Sequence, residues 1–141
     1  MAFSWDAVYR VTLAQIELLR ARSILRNRRV GSLIKVLKDD PAPASPQQVI
    51  RARQWGAAVG FAARYGLGRP TCLARSLALV RLLDRAGIEG ARIKAGVFRD
   101  QKTFLAHAWV ELGETVVSDP ESYVAQFEPW ADLRMFEDLT A

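Results

Sequence analysis

The chain of 141 residues is half hydrophobic and a quarter charged, enough to bury one sizeable core and too short for two ordinary domains. Its single cysteine cannot form an internal disulfide, and with one histidine it cannot furnish a four-ligand zinc site without carboxylates, so disulfide scaffolds and zinc fingers drop out and no metal or cofactor is expected. The formal charge of +5 is segregated, with arginines from Arg20 to Arg69 dominating the first half and acids dominating the stretch from Glu111 to Asp138.

From Ser4 to about Arg26, Val8, Leu13, Ile16 and Leu19 recur at helical spacing, with Ser4 as N-cap and Asp6 in the first turn, which predicts an amphipathic helix. A shorter helical pattern at Leu33, Ile34 and Leu37 ends at Asp40-Pro41-Ala42-Pro43-Ala44-Ser45-Pro46, because each proline forbids ordinary helix continuation. Ser45 then caps a helix with Pro46 at its first position, which Val49, Ala52, Gly56, Val59 and Ala63 carry to a stop at Gly66-Leu67-Gly68. Thr71 caps the next helix, which starts at Cys72 and runs to about Ala86, where Gly87 supplies the left-handed end. Cys72, Ser76, Leu79 and Leu83 fall on one stripe of it, so the thiol points along the protein body.

Three strand patterns follow: Ala91 to Phe98, with Ile93, Ala95 and Val97 inward, then Phe104 to Leu112, then Thr115 to Asp119. Arg99-Asp100-Gln101-Lys102 and Gly113-Glu114 read as the hairpin turns between them. Helices first and an antiparallel meander later predict an α+β fold in which the Cys72 helix packs on the strand carrying His107. Residues 1–141 form a single domain on this reading, with a helical front over 1–66 and a catalytic core over 70–123. No run approaches the roughly 20 apolar residues of a membrane span, and Trp5, Asp6 and Arg10 do not open a signal segment, so a cytoplasmic protein is expected.

Three residues carry the chemistry. A free thiol is mostly protonated at neutral pH, and a helix N-terminus and a neighbouring imidazolium both favour the thiolate; the only cysteine starts a helix. His107 stands in Leu105-Ala106-His107-Ala108-Trp109, where small alanines leave room around the ring, and Asp119 ends the next strand before Pro120. Singly, each has a plainer explanation: an inert core thiol, a core histidine bonded to a carbonyl, a turn-forming aspartate. Together they supply nucleophile, general base and orienting acid.

The same residues carry a resemblance. Cys72-Leu73-Ala74-Arg75-Ser76-Leu77-Ala78-Leu79, Leu82-Leu83, Gly87-Ile88, Ile93-Lys94-Ala95-Gly96-Val97, Ala106-His107-Ala108-Trp109-Val110-Glu111 and Val116-Val117-Ser118-Asp119 resemble the lasso-peptide leader peptidase family, whose core is transglutaminase-like and papain-related, over roughly residues 68 to 123. The resemblance implies a cysteine protease with catalytic Cys72, His107 and Asp119 that removes the leader from a ribosomally made precursor peptide. In that family a separate ATP-dependent cyclase then joins the freed amine to an Asp or Glu side chain. The helical front does not look like the winged-helix leader-recognition domain that some members carry, so a separate leader-binding protein is expected to act in trans and to dock on that front.

In the implied mechanism, backbone amides at the start of the Cys72 helix hold the oxyanion. Gln47, Gln48 and Gln54 lie upstream without a motif that selects one for that hole, and Trp109 and Tyr65 are candidates to line the cleft. Two other functions remain: acyl transfer to an amine by the same triad, and a basic nucleic-acid-binding module, for which charge is the only support. Strand alternation adds a geometric condition, since a two-residue loop at Gly113-Glu114 sets Asp119 opposite Ala108, away from His107. A three-residue loop or a bulge places Asp119 diagonal to His107 instead, and is therefore expected, with the second imidazole nitrogen facing the Cys72 sulfur.

Overall fold

The computed structural model describes residues 4–27 and 34–135. In chain order these form α1 (Trp5–Asn27), β1 (Ile34–Leu37), α2 (Pro46–Tyr65), α3 (Cys72–Arg85), β2 (Ala91–Arg99), β3 (Phe104–Leu112), β4 (Thr115–Val116), the one-turn α4 (Glu121–Val124) and β5 (Glu128–Met135). The strands make one five-stranded sheet in the order β1-β5-β2-β3-β4, with antiparallel neighbours throughout. The α+β architecture expected from the sequence is the one observed. Among the described residues no helix is long and apolar enough to cross a membrane.

Local chemistry sets the helix ends. The Ser45 hydroxyl accepts from the Gln48 N–H while the Gln48 side chain accepts from the Ser45 N–H, a reciprocal cap that starts α2 with Pro46 in its first turn. Gln48 is thereby occupied in holding a helix end. At α3 the Thr71 hydroxyl accepts from the Ala74 N–H at 3.2 Å, so the helix opens with Cys72 in its first turn. It closes on Gly87, whose φ of +77° lets the Ile88 N–H turn back to the Leu83 carbonyl.

The core lies between the helices and one face of the sheet. Ala14, Leu18 and Ala21 of α1, Ala52, Val59 and Ala62 of α2, and Leu79 and Leu83 of α3 meet Ile93, Val110 and Leu112 of the central hairpin. The alanines let the helix backbones approach closely. The larger side chains supply most of the driving force, roughly 1.5–3 kcal/mol for each fully buried Leu or Ile. A second cluster of Trp109, Val124 and Phe127, with Phe98 and Val116 against it, covers the opposite face of the sheet beside α4.

A buried acid stitches the helices together. Glu17 of α1 is 1% exposed and meets Arg81 of α3 at 2.8 Å, Arg85 at 2.5 Å and Arg20 at 3.2 Å. On the far side of the sheet, Arg92 donates to the Asp39 and Asp40 carbonyls and pairs with Asp132, which ties the proline-rich connector to β2 and β5.

Several expectations are corrected. The Ile34–Leu37 segment is a strand and not a helix, because it pairs along its whole length with β5; Leu33 lies outside the described residues. α1 is not amphipathic in the expected sense, since Trp5, Tyr9, Ile16 and Leu19 are exposed while the buried stripe is Ala14, Leu18 and Ala21 around Glu17. The sheet is not a three-stranded meander, because β1 and β5 extend it beyond β2. The strand expected over Thr115 to Asp119 leaves the ladder after Val116.

Candidate active site

The start of α3 places Cys72, half-buried, at the rim of a small cleft. Gly56, Val59 and Gly60 of α2 form one wall, Arg75, Ser76 and Leu79 of α3 another, and Ala108, Ser118 and Asp119 close it. Gly56 is what allows that wall to stand so near: a Cβ built on it lies 1.9 Å from the Val117 carbonyl oxygen. The α2 backbone thus rests directly on the segment that leads to Asp119.

That segment does not follow the expected register. Leu112 pairs with Thr115 and Glu111 with Val116, so the hairpin loop is the two-residue Gly113-Glu114 turn, with Gly113 at φ +62°. The odd-length loop or bulge is not there. Asp119 reaches His107 by another route. The Val117 N–H still donates to the Val110 carbonyl at 3.0 Å, but the returning Val110 N–H donates to the Ser118 hydroxyl at 2.8 Å and not to a backbone carbonyl. A side chain has replaced the ladder, the chain bends through Ser118 and Asp119, and alternation no longer governs where Asp119 points.

His107 Nε2 lies 3.0 Å from Asp119 Oδ2. A carboxylate only accepts, so Nε2 carries a proton, and in the neutral ring Nδ1 is the accepting nitrogen. The ring is 8% exposed and is held in aromatic company: Trp109 stacks on it at 6.0 Å between centroids, Phe127 lies at 5.1 Å, and Tyr123 meets it edge-on at 5.2 Å. Gly96, paired across from His107, makes room for the Trp109 ring, since a Cβ there comes within 2.8 Å of Trp109 Cη2. Trp109 is anchored in turn by its indole N–H donating to Glu111 at 2.8 Å.

His107 and Asp119 are therefore joined, and Asp119 and Cys72 share the cleft. Cys72 and His107 are not hydrogen-bonded to each other. His107 stands with Trp109 on the face of β3 opposite Ala108, which lines the cleft, so the Asp119 carboxylate lies between the two halves of the expected triad. Beyond Val110 toward its N-terminal end, β3 has β2 on one side and, among the described residues, no strand on the other, and an imidazole reaches the cleft only around this free edge. Of the other sequence candidates, Trp109 is buried against His107 away from the cleft, Tyr65 is exposed, and neither Gln47 nor Gln54 lines the cleft. The sequence gives Gly56 no role beyond its place in the α2 pattern and Ser118 none beyond its place in the Val116-Val117-Ser118-Asp119 motif; a glycine inside a helical pattern and a serine before Asp-Pro are the only signals that mark them.

The transglutaminase-like superfamily matches residues 15–132 of the chain. Searches of curated proteins and of solved structures returned no match.

Proposed function

This chain belongs to the transglutaminase-like superfamily, and we propose that within it the protein is a cysteine endopeptidase that removes the leader from a ribosomally made lasso-peptide precursor. The observation that carries the reading is the His107–Asp119 hydrogen bond set beside the cleft of the only cysteine. Asp119 fixes the tautomer, Nδ1 takes the Cys72 proton, and the sulfur attacks the carbonyl of the last leader residue. The amides at the start of α3 receive the oxyanion. The protonated imidazole then gives its proton to the leaving amine, which becomes the free N-terminus of the core peptide, and water releases the leader from the sulfur. On this reading the His107 ring comes round the free edge of β3 in the complex with substrate, because Nδ1 and the sulfur otherwise stand on opposite sides of that strand.

A separate leader-binding protein presents the precursor, and a separate ATP-dependent cyclase consumes the freed amine. The test is to incubate the protein with a candidate precursor and leader-binding protein and read product masses. A leader fragment ending in a free carboxylate supports proteolysis. An amide formed with an added amine in its place, the outcome that superfamily membership also accommodates, would make the protein an acyltransferase. Cleavage that survives in Cys72→Ala would end both readings.

A further inference from the structure

The cleft contains a cation that neither the triad nor the fold uses. Arg75 lies one helical turn beyond Cys72 on α3, is half-buried, and lines the cleft together with Cys72, Ser118 and Asp119. Among the described residues its side chain forms no ion pair and no hydrogen bond. The neighbouring cations are differently placed: Arg81 and Arg85 of the same helix meet Glu17, Arg53 of the facing helix meets Glu121, and Arg92 and Lys94 meet Asp132. Near the positive end of a helix a cation is disfavoured, so Arg75 is not there to stabilise α3. A partly desolvated guanidinium with open donors is a ready partner for a planar carboxylate, which it grips through two parallel N–H···O bonds.

We infer that Arg75 is a specificity residue that binds an Asp or Glu side chain of the peptide substrate close to the bond attacked by Cys72. The inference rests on the reading of Cys72 as the nucleophile of a peptide-cleaving enzyme. It makes the favoured substrate acidic next to its cleavage site.

The experiment uses the full chain and variants of a cleaved precursor in which single positions flanking the cut are Glu, Gln or Lys. At one position kcat/KM for Glu is expected to exceed that for Gln at least tenfold. Arg75→Gln should erase the preference by slowing the Glu substrate to the Gln rate while leaving the Gln substrate unchanged. Arg75→Glu should reverse it in favour of Lys. An equal loss on all three substrates in Arg75→Gln, with an unchanged melting temperature, overturns the inference, because the arginine then serves catalysis whatever the flanking charge. So does a wild type that shows no charge preference at any flanking position, a result that needs no variant and leaves the protease reading standing. If the wild type cleaves nothing, the protease reading falls separately, and binding of the Glu and Gln peptides to Cys72→Ala decides Arg75: equal affinities overturn the inference, and tighter Glu binding sustains it.

Discussion

The Ser118 hydroxyl accepts the Val110 N–H at 2.8 Å and lies 3.4 Å from the Asp119 carboxylate, to which it donates. One small side chain both ends the β3–β4 ladder and helps hold the acid that faces His107. Ser118→Ala leaves the Val110 N–H without its acceptor, and such a loss costs about 1–3 kcal/mol where no water replaces it. Urea denaturation should show that cost, and kcat/KM should fall further than the stability loss accounts for, because Asp119 is released as well. Asp119→Asn is expected to slow cleavage by on the order of 10²–10⁴ while leaving the melting temperature nearly unchanged, since it permits the wrong tautomer of His107. His107→Ala should also depress the rate at which iodoacetamide alkylates Cys72. An unchanged alkylation rate would separate the imidazole from the thiol and remove His107 as its base.

At the scale of elements, the two glycines of α2 that line the cleft make opposite predictions. Gly56 has no room for a side chain, with a built Cβ 1.9 Å from the Val117 oxygen, so Gly56→Ala pushes α2 off the Asp119 segment and should cost about 1–3 kcal/mol by overpacking. A Cβ on Gly60 meets nothing within 4 Å; Gly60→Ala should stabilise the helix by up to about 1 kcal/mol and narrow the cleft. Thermal melts of the pair read the contrast directly, and a rise in KM for Gly60→Ala would report the cleft.

The helix starts were legible because caps are local: Ser45-Pro46-Gln47-Gln48 and Thr71 each contain the groups that satisfy their own first amides. β1 and β5 were not, because neither has a clean alternating pattern and each becomes a strand only by pairing with a segment remote in sequence. The hairpin register departs from expectation for a related reason. Alternation predicts the face of Asp119 only if the strand persists that far, whereas the Ser118 side chain ends the ladder before it.

For the whole molecule, the Glu17–Arg81 pair joins α1 to the helix that carries Cys72. Removing one member of a buried pair costs about 3–5 kcal/mol, and Glu17→Gln should approach that loss while sparing every residue of the cleft. The candidate site residues could be nominated from sequence because Cys72, His107 and Asp119 each sit at the end or middle of a recognisable element. Their relative placement could not, since it depends on which face of β3 each element covers, and that is settled by the packing of all three helices at once. Precursor cleavage is expected to quicken at least tenfold when the leader-binding protein is added. An unassisted rate equal to the assisted one would assign leader recognition to this chain itself.

The position of β5 has a consequence for assembly during synthesis. It enters the sheet between β1 and β2, although it follows both in the chain. A ribosome therefore delivers Cys72, His107 and Asp119 on a half-built sheet in which β2 offers an unpaired edge and β1 has no partner. Closing that slot is a long-range event, and long-range pairings are the slow ones. While it stays open, the β5 of a second copy fits it as well as the chain's own. Refolding at high concentration should thus yield a strand-exchanged dimer, separable by gel filtration, whose share falls as the refolding mixture is diluted.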